Sequence, residues 1–105
     1  MTNAAIIELE ARGVLYSSTY DEDAFFEWLD KLPCVKEYIG QGDTLIISIT
    51  KSAVDEYALR ELLALFDRYN VDMKQLCVFD CCEFAGWFRD SRSYWFESVF
   101  GKQAM

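Results

Sequence analysis

The sequence predicts an α/β or α+β sandwich, a small single domain over residues 1–105 with helices packed on a roughly three-stranded sheet. Three observations lead there. The chain has 105 residues, enough for one hydrophobic core and too few for two. Apolar residues make up 52% of it, with 8 Phe, 6 Tyr and 3 Trp, far more oily surface than a disordered chain carries. Segments with a strand period alternate with segments of helical period, and no repeat, low-complexity tract or Ser/Gly/Pro-rich linker divides them.

Between residues 4 and 16, Ile7, Leu9 and Ala11 alternate with Glu8 and Glu10, the pattern of a half-buried strand. Gly13 interrupts or bends it. Thr19 is followed three residues later by Glu22, a capping-box spacing that starts a helix running to Leu32. Phe25, Trp28, Leu29 and Leu32 share one face of that helix, while Asp23, Glu27 and Asp30 line the other and Phe26 lies on the flank beside the acids. Pro33 ends the segment. Early acids also suit the positive end of the helix dipole, so their first role is structural.

Gly40-Gln41-Gly42-Asp43 signals a turn, and Thr44-Leu45-Ile46-Ile47-Ser48-Ile49-Thr50 reads as a central strand covered on both faces. Ser52 or Asp55 caps a long helix that reaches Tyr69, with Leu59, Leu62, Leu63, Phe66 and Tyr69 on its buried stripe and Asn70 as a left-handed stop. Leu76-Cys77-Val78-Phe79 fits a short third strand, although a buried turn has the same composition. Asp90 or Ser91 caps a final helix carrying Trp95, Phe96, Val99 and Phe100, and Gly101 terminates it.

The 18 acidic and 10 basic residues give a net charge of −8. A body of that sign repels phosphate backbones and attracts basic surfaces, which argues against direct nucleic-acid binding. Solubility alone explains such a charge in many domains. Met1-Thr2-Asn3-Ala4-Ala5-Ile6-Ile7-Glu8 has neither the basic start nor the apolar run of a signal peptide or membrane anchor, so a cytoplasmic location is expected. There Cys34, Cys77, Cys81 and Cys82 are expected to remain thiols.

Catalytic groups are sparse, and the reading is of a non-enzyme that needs no cofactor. There is no histidine, which removes the usual partner of a serine or cysteine nucleophile, and Gly40-Gln41-Gly42 is not placed as a phosphate cradle. Asp21-Glu22-Asp23 and Asp55-Glu56 pair carboxylates in sequence, as helix starts commonly do. Cys77, Cys81 and Cys82 together with Cys34 or Asp80 suggest zinc, but structural sites use two separate clips of spaced cysteines, and adjacent Cys81 and Cys82 diverge. These cysteines are therefore expected to be small buried hydrophobes, with no metal site.

Residues 84–96 hold Phe84, Trp87, Phe88, Tyr94, Trp95 and Phe96 with Arg89, Asp90 and Arg92 between them. Trp95, Phe96, Val99 and Phe100 are assigned to the core, since aromatics dominate packing. For Trp87 and Tyr94 two roles stay open, core closure and an exposed binding contact.

Tyr69-x-x-Asp72-Met73-x-x-Leu76, Trp87-Phe88, Tyr94-Trp95 and Val99-Phe100-Gly101, over the last third of the chain, resemble small immunity proteins of bacterial contact-dependent growth inhibition and related polymorphic toxin systems. Size and acidity agree with the resemblance. It implies a cytoplasmic protein that binds the C-terminal toxin domain delivered by a neighbouring cell, in many such systems a nuclease, and blocks its activity. A nuclease presents Lys and Arg to its polyanion, so clustered carboxylates around an apolar centre suit an inhibitor. Phe26 with Asp23, Glu27 and Asp30 is the candidate partner-binding patch, extended by Tyr20, Asp21 and Glu22, with Trp87 and Tyr94 as further contacts. Two other readings compete: a cysteine-dependent metal or redox protein, and an acidic nucleic-acid mimic that binds a host protein.

Overall fold

Helices cover one face of a three-stranded antiparallel sheet in the computed structural model of the chain, which describes residues 5–101. The α/β expectation holds. In chain order the elements are β1 (Ile6–Arg12), α1 (Thr19–Lys31), β2 (Val35–Gln41), β3 (Thr44–Thr50), α2 (Glu56–Arg68), α3 (Ala85–Phe88) and α4 (Phe96–Phe100). Short 3-10 helices occupy Lys51–Ala53 and Lys74–Phe79.

Strand order is β1-β3-β2, so the β-branched run of β3 is central as expected. Ile7 opposes Ile49, Leu9 opposes Ile47 and Ala11 opposes Leu45 across the β1–β3 pair, which puts six apolar side chains on the inner face. Both β1 and β2 run antiparallel to β3 and hence parallel to each other, and α1 makes the crossover between them. Gly42 takes φ +60° in the two-residue loop that closes the β2–β3 hairpin, a conformation that costs glycine little.

α1 and α2 lie antiparallel on the inner face, because Asp21 meets Arg68 at 3.0 Å while Trp28 meets Glu61 at 2.9 Å. Phe25 and Leu29 from α1, Leu59, Leu62, Leu63 and Phe66 from α2, and Leu9, Ile47 and Ile49 from the sheet are all essentially fully buried in one apolar cluster. Burial of each such side chain stabilises the fold by about 1.5–3 kcal/mol. Ala58 and Leu65 are buried as well, so α2 is covered on a second side by the C-terminal segment. Within that segment the Trp95 indole donates to the Phe88 carbonyl at 2.8 Å and closes the chain between the two residues.

Several sequence expectations are corrected. Leu76-Cys77-Val78-Phe79 belongs to a 3-10 helix, not a strand. Its two buried residues, Leu76 and Phe79, are three apart and so share one face of the three-residue turn. The third strand is β2, whose exposed edge, register shift beside Lys36 and Gly40 hide the strand period. Asp90 and Ser91 start no long helix. The Asp90 carboxylate instead accepts from the Arg92 backbone N–H and guanidinium, closing a turn that competes with helix, and only residues 96–100 are helical there. Ser18, one residue before Thr19, caps α1 by accepting from the Asp21 N–H, while the Asp21 carboxylate accepts from the Ser17 N–H. Asp55, not Ser52, caps α2. Asn70 takes φ 58°, the left-handed stop expected. Among the described residues no helix lies on the outer face of the sheet: Ile39 is exposed and Ile46 half-buried, so the described helices cover β3 on one side only.

Candidate functional site

α1 buries Phe25 and Leu29, and the 3.6-residue turn therefore sends Tyr20, Asp23, Ala24, Glu27 and Lys31 to solvent, where all five are exposed. On α2 the same geometry exposes Glu56, Tyr57, Arg60, Asp67 and Arg68 and leaves Glu61 half-buried. The two outward faces are joined where the Trp28 indole N–H donates to the Glu61 carboxylate at 2.9 Å. Trp28, expected on the buried face, is thus half-buried with its ring edge at the junction of the helices. Ala24, Glu27, Trp28, Lys31, Tyr57 and Glu61 line a shallow groove between them.

The C-terminal segment extends this surface on the far side of α2. The Arg60 guanidinium lies 4.1 Å from the centre of the Trp87 ring, and Trp87 packs edge-on against Trp95 with centroids 5.8 Å apart. Tyr94 stands on the Trp95 ring and is 58% exposed. Its hydroxyl pKa is raised, first by partial burial and then by the carboxylates of Asp67 and Glu61. Glu61 therefore borders both halves of the surface, and Tyr20 at 84%, Tyr57 at 69% and Tyr94 are its most exposed aromatics.

Not all the sequence candidates stand in that surface. Tyr20, Asp23 and Glu27 do, and Trp87 and Tyr94 join them across α2. Glu22 is exposed and adds its charge to the Tyr16 hydroxyl, on the flank. Asp21 is tied down: the Ser17 backbone N–H, then the Tyr69 hydroxyl and the Arg68 guanidinium hold its carboxyl below the usual range. Phe26 is half-buried among Phe25, Tyr16 and Tyr38, with the Tyr38 ring centroid at 5.4 Å. Asp30 accepts from the Tyr38 hydroxyl at 2.8 Å, so Phe26 and Asp30 lean toward the β2 side of α1.

Tyr57, Glu61 and Asp67 were not singled out in the sequence. Tyr57 carried a signal, for it is a large aromatic on the polar side of a helix whose Leu59, Leu62, Leu63 and Phe66 define the opposite stripe.

The expectation that the cysteines are buried holds for Cys34 alone. Cys77, Cys81 and Cys82 are exposed, because Leu76, Phe79 and Phe84 take the inward positions of the same turns. Among the described residues no three His, Cys, Asp or Glu side chains converge as a metal ion requires, and no helix is long and apolar enough to cross a membrane. Comparison with protein-family models, with curated proteins and with solved structures finds no match to the chain.

Proposed function

We propose that the chain is an immunity-type inhibitor, a non-catalytic protein that neutralises a cognate toxin domain by laying its helical face over the toxin's basic active surface. The observation that carries this reading is the composition of that face: three exposed tyrosines set among the carboxylates of Asp23, Glu27, Glu61 and Asp67. Tyrosine combines a large apolar area with few rotatable bonds, which is why it serves as an anchor in interfaces. Carboxylates around such anchors steer a cationic partner and fix its orientation. A net charge of −8 extends that pull beyond the contact itself. The resemblance of the C-terminal third to immunity proteins supplies the partner class, a toxin domain acting in the same cytoplasm, and nuclease active sites have the required positive sign.

The test is titration of the purified chain against the toxin domain encoded beside it, at low and then at physiological salt. The expected result is a one-to-one complex whose association rate falls with ionic strength and whose formation abolishes toxin activity. Absence of binding at low salt rejects the proposal. Charge reversal at Asp23, which lies outside the groove between the helices, is expected to slow association while the dissociation rate changes little.

A further inference from the structure

Three times this protein seats one of its own arginines by the same construction, an aromatic ring under the guanidinium and a carboxylate at its edge. Arg60 lies over Trp87 and its Nε donates to Glu56 at 2.9 Å. Arg68 lies 4.7 Å from the centre of the Tyr69 ring and meets Asp21 at 3.0 Å. Arg89 lies 5.1 Å from the centre of the Phe100 ring and bonds Asp80. A guanidinium is planar, weakly hydrated and permanently charged, so it gains from stacking and from forked hydrogen bonding at once.

The groove between α1 and α2 repeats the receiving half of that construction on its lining: Trp28 and Tyr57 supply rings, and Glu27 and Glu61 supply carboxylates. Ala24 contributes only a methyl group to the wall. Glu61 is already oriented, since one of its oxygens accepts from the Trp28 indole, which leaves the other for a second donor. The Glu27 carboxylate makes no hydrogen bond or ion pair among the described residues. Among the described residues the cation on the groove lining is Lys31, one turn beyond Glu27, and it lies within 4 Å of no described carboxylate.

We propose that this groove is an arginine receptor: it takes a single arginine side chain of the partner, stacked on Trp28 or Tyr57, with its guanidinium on Glu61 and Glu27. The inference rests on the proposed inhibitor function for the partner's identity and deepens it, by making one partner arginine the anchor at the centre of the helical face. Arginine is favoured over lysine because the rings and carboxylates match a flat, forked cation better than a compact, strongly hydrated one.

The probes are three capped tripeptides, Gly-Arg-Gly, Gly-Lys-Gly and Gly-citrulline-Gly, titrated at millimolar concentration into the 15N-labelled full chain, with the Trp28 indole N–H as reporter. The expected result is a saturable shift of that signal with the arginine peptide, at least about threefold weaker binding for lysine, and none for the uncharged isostere citrulline. Tyr57→Ala and Glu61→Gln remove the arginine response. Tyr57→Phe keeps it, and all three variants keep the native urea midpoint to within experimental error. No shift, an equal response to citrulline, or a shift that survives both Tyr57→Ala and Glu61→Gln overturns the proposal. With the toxin domain as partner, Tyr57→Ala and Glu61→Gln are each expected to weaken binding by about 10- to 100-fold. A toxin complex unaffected by either variant sinks the receptor and leaves the inhibitor function standing. An arginine response without a toxin complex does the reverse.

Discussion

β1 is an edge strand, and Gln75 stands where a fourth strand would. Its Oε1 accepts from the Glu10 backbone N–H at 2.8 Å, and its Nε2 donates to the Glu10 carbonyl and to the Asp72 carbonyl, each at 2.8 Å. One carboxamide thus replaces a neighbouring peptide group and ties the 3-10 helix to a strand 65 residues away in sequence. Gln75→Ala removes both bonds to Glu10. Each is worth a net ~0.5–1.5 kcal/mol, and because Glu10 is exposed, water takes over its backbone groups and the loss falls toward the lower end, about 1–2 kcal/mol in total. For a domain of this size that lowers the melting temperature by roughly 4–8 °C per kcal/mol. Urea unfolding followed by tryptophan fluorescence is expected to show a lower midpoint at unchanged slope. Amide exchange in the native state localises the effect: Glu10 loses protection, while Leu9 and Ala11, whose N–H groups point the other way into β3, keep theirs. Unchanged stability together with an equally fast-exchanging Glu10 amide in both proteins would refute the reasoning.

Further outcomes follow from the core, the thiols and the titrating groups. Phe66→Ala, at a fully buried position in the α2 stripe, is expected to cost about 3–5 kcal/mol, read as a large fall in the urea midpoint. A thiol reagent is expected to modify Cys77, Cys81 and Cys82 quickly in the native protein and Cys34 only on unfolding, since Cys34 is buried and burial pushes its thiol pKa up; a fast fourth thiol contradicts the packing of Cys34. The Asp21 carboxyl is lowered in the fold, chiefly by the Ser17 N–H, so its stabilisation is present above the usual carboxylate range and is lost as pH falls through the folded-state value. Asp21→Asn is therefore expected to flatten the acid limb of stability against pH. Tyr16 and Tyr69 are raised, chiefly by burial. Their contribution is present below the ordinary tyrosine value and fades as pH rises through the raised one, a limb that Tyr69→Phe is expected to shorten.

Legibility in the sequence followed burial. The α2 stripe was readable because its packed face keeps the helical period, the central strand because its β-branched run is dense enough to need no period, and Asn70 because its residue type tolerates the left-handed region. β2 was not, because an edge strand with a register shift and glycine near its end alternates poorly. The 3-10 helix at Lys74–Phe79 carried the apolar density of a strand but a period of three, which four residues are too short to declare. For the candidate surface, charge pattern located the outward face of α1, yet it did not distinguish Asp23 and Glu27, which face solvent, from Asp21, which is held by Ser17 and Arg68. Nor did it join α1 to Tyr94. That union depends on the antiparallel pairing of α1 and α2 and on the Arg60–Trp87 stack, contacts between residues 27 and 33 apart in sequence.

The most direct measurement is a nuclear magnetic resonance footprint, on the 15N-labelled chain, of the toxin domain proposed as its partner. Perturbations are predicted at Tyr20, Asp23 and Glu27 on α1, at Tyr57 and Glu61 on α2, at the Trp28 indole and at Tyr94, all on the helical side of the sandwich. A footprint centred on Ile39, Ile46 and the uncovered face of the sheet, with the helical residues silent, would contradict the account.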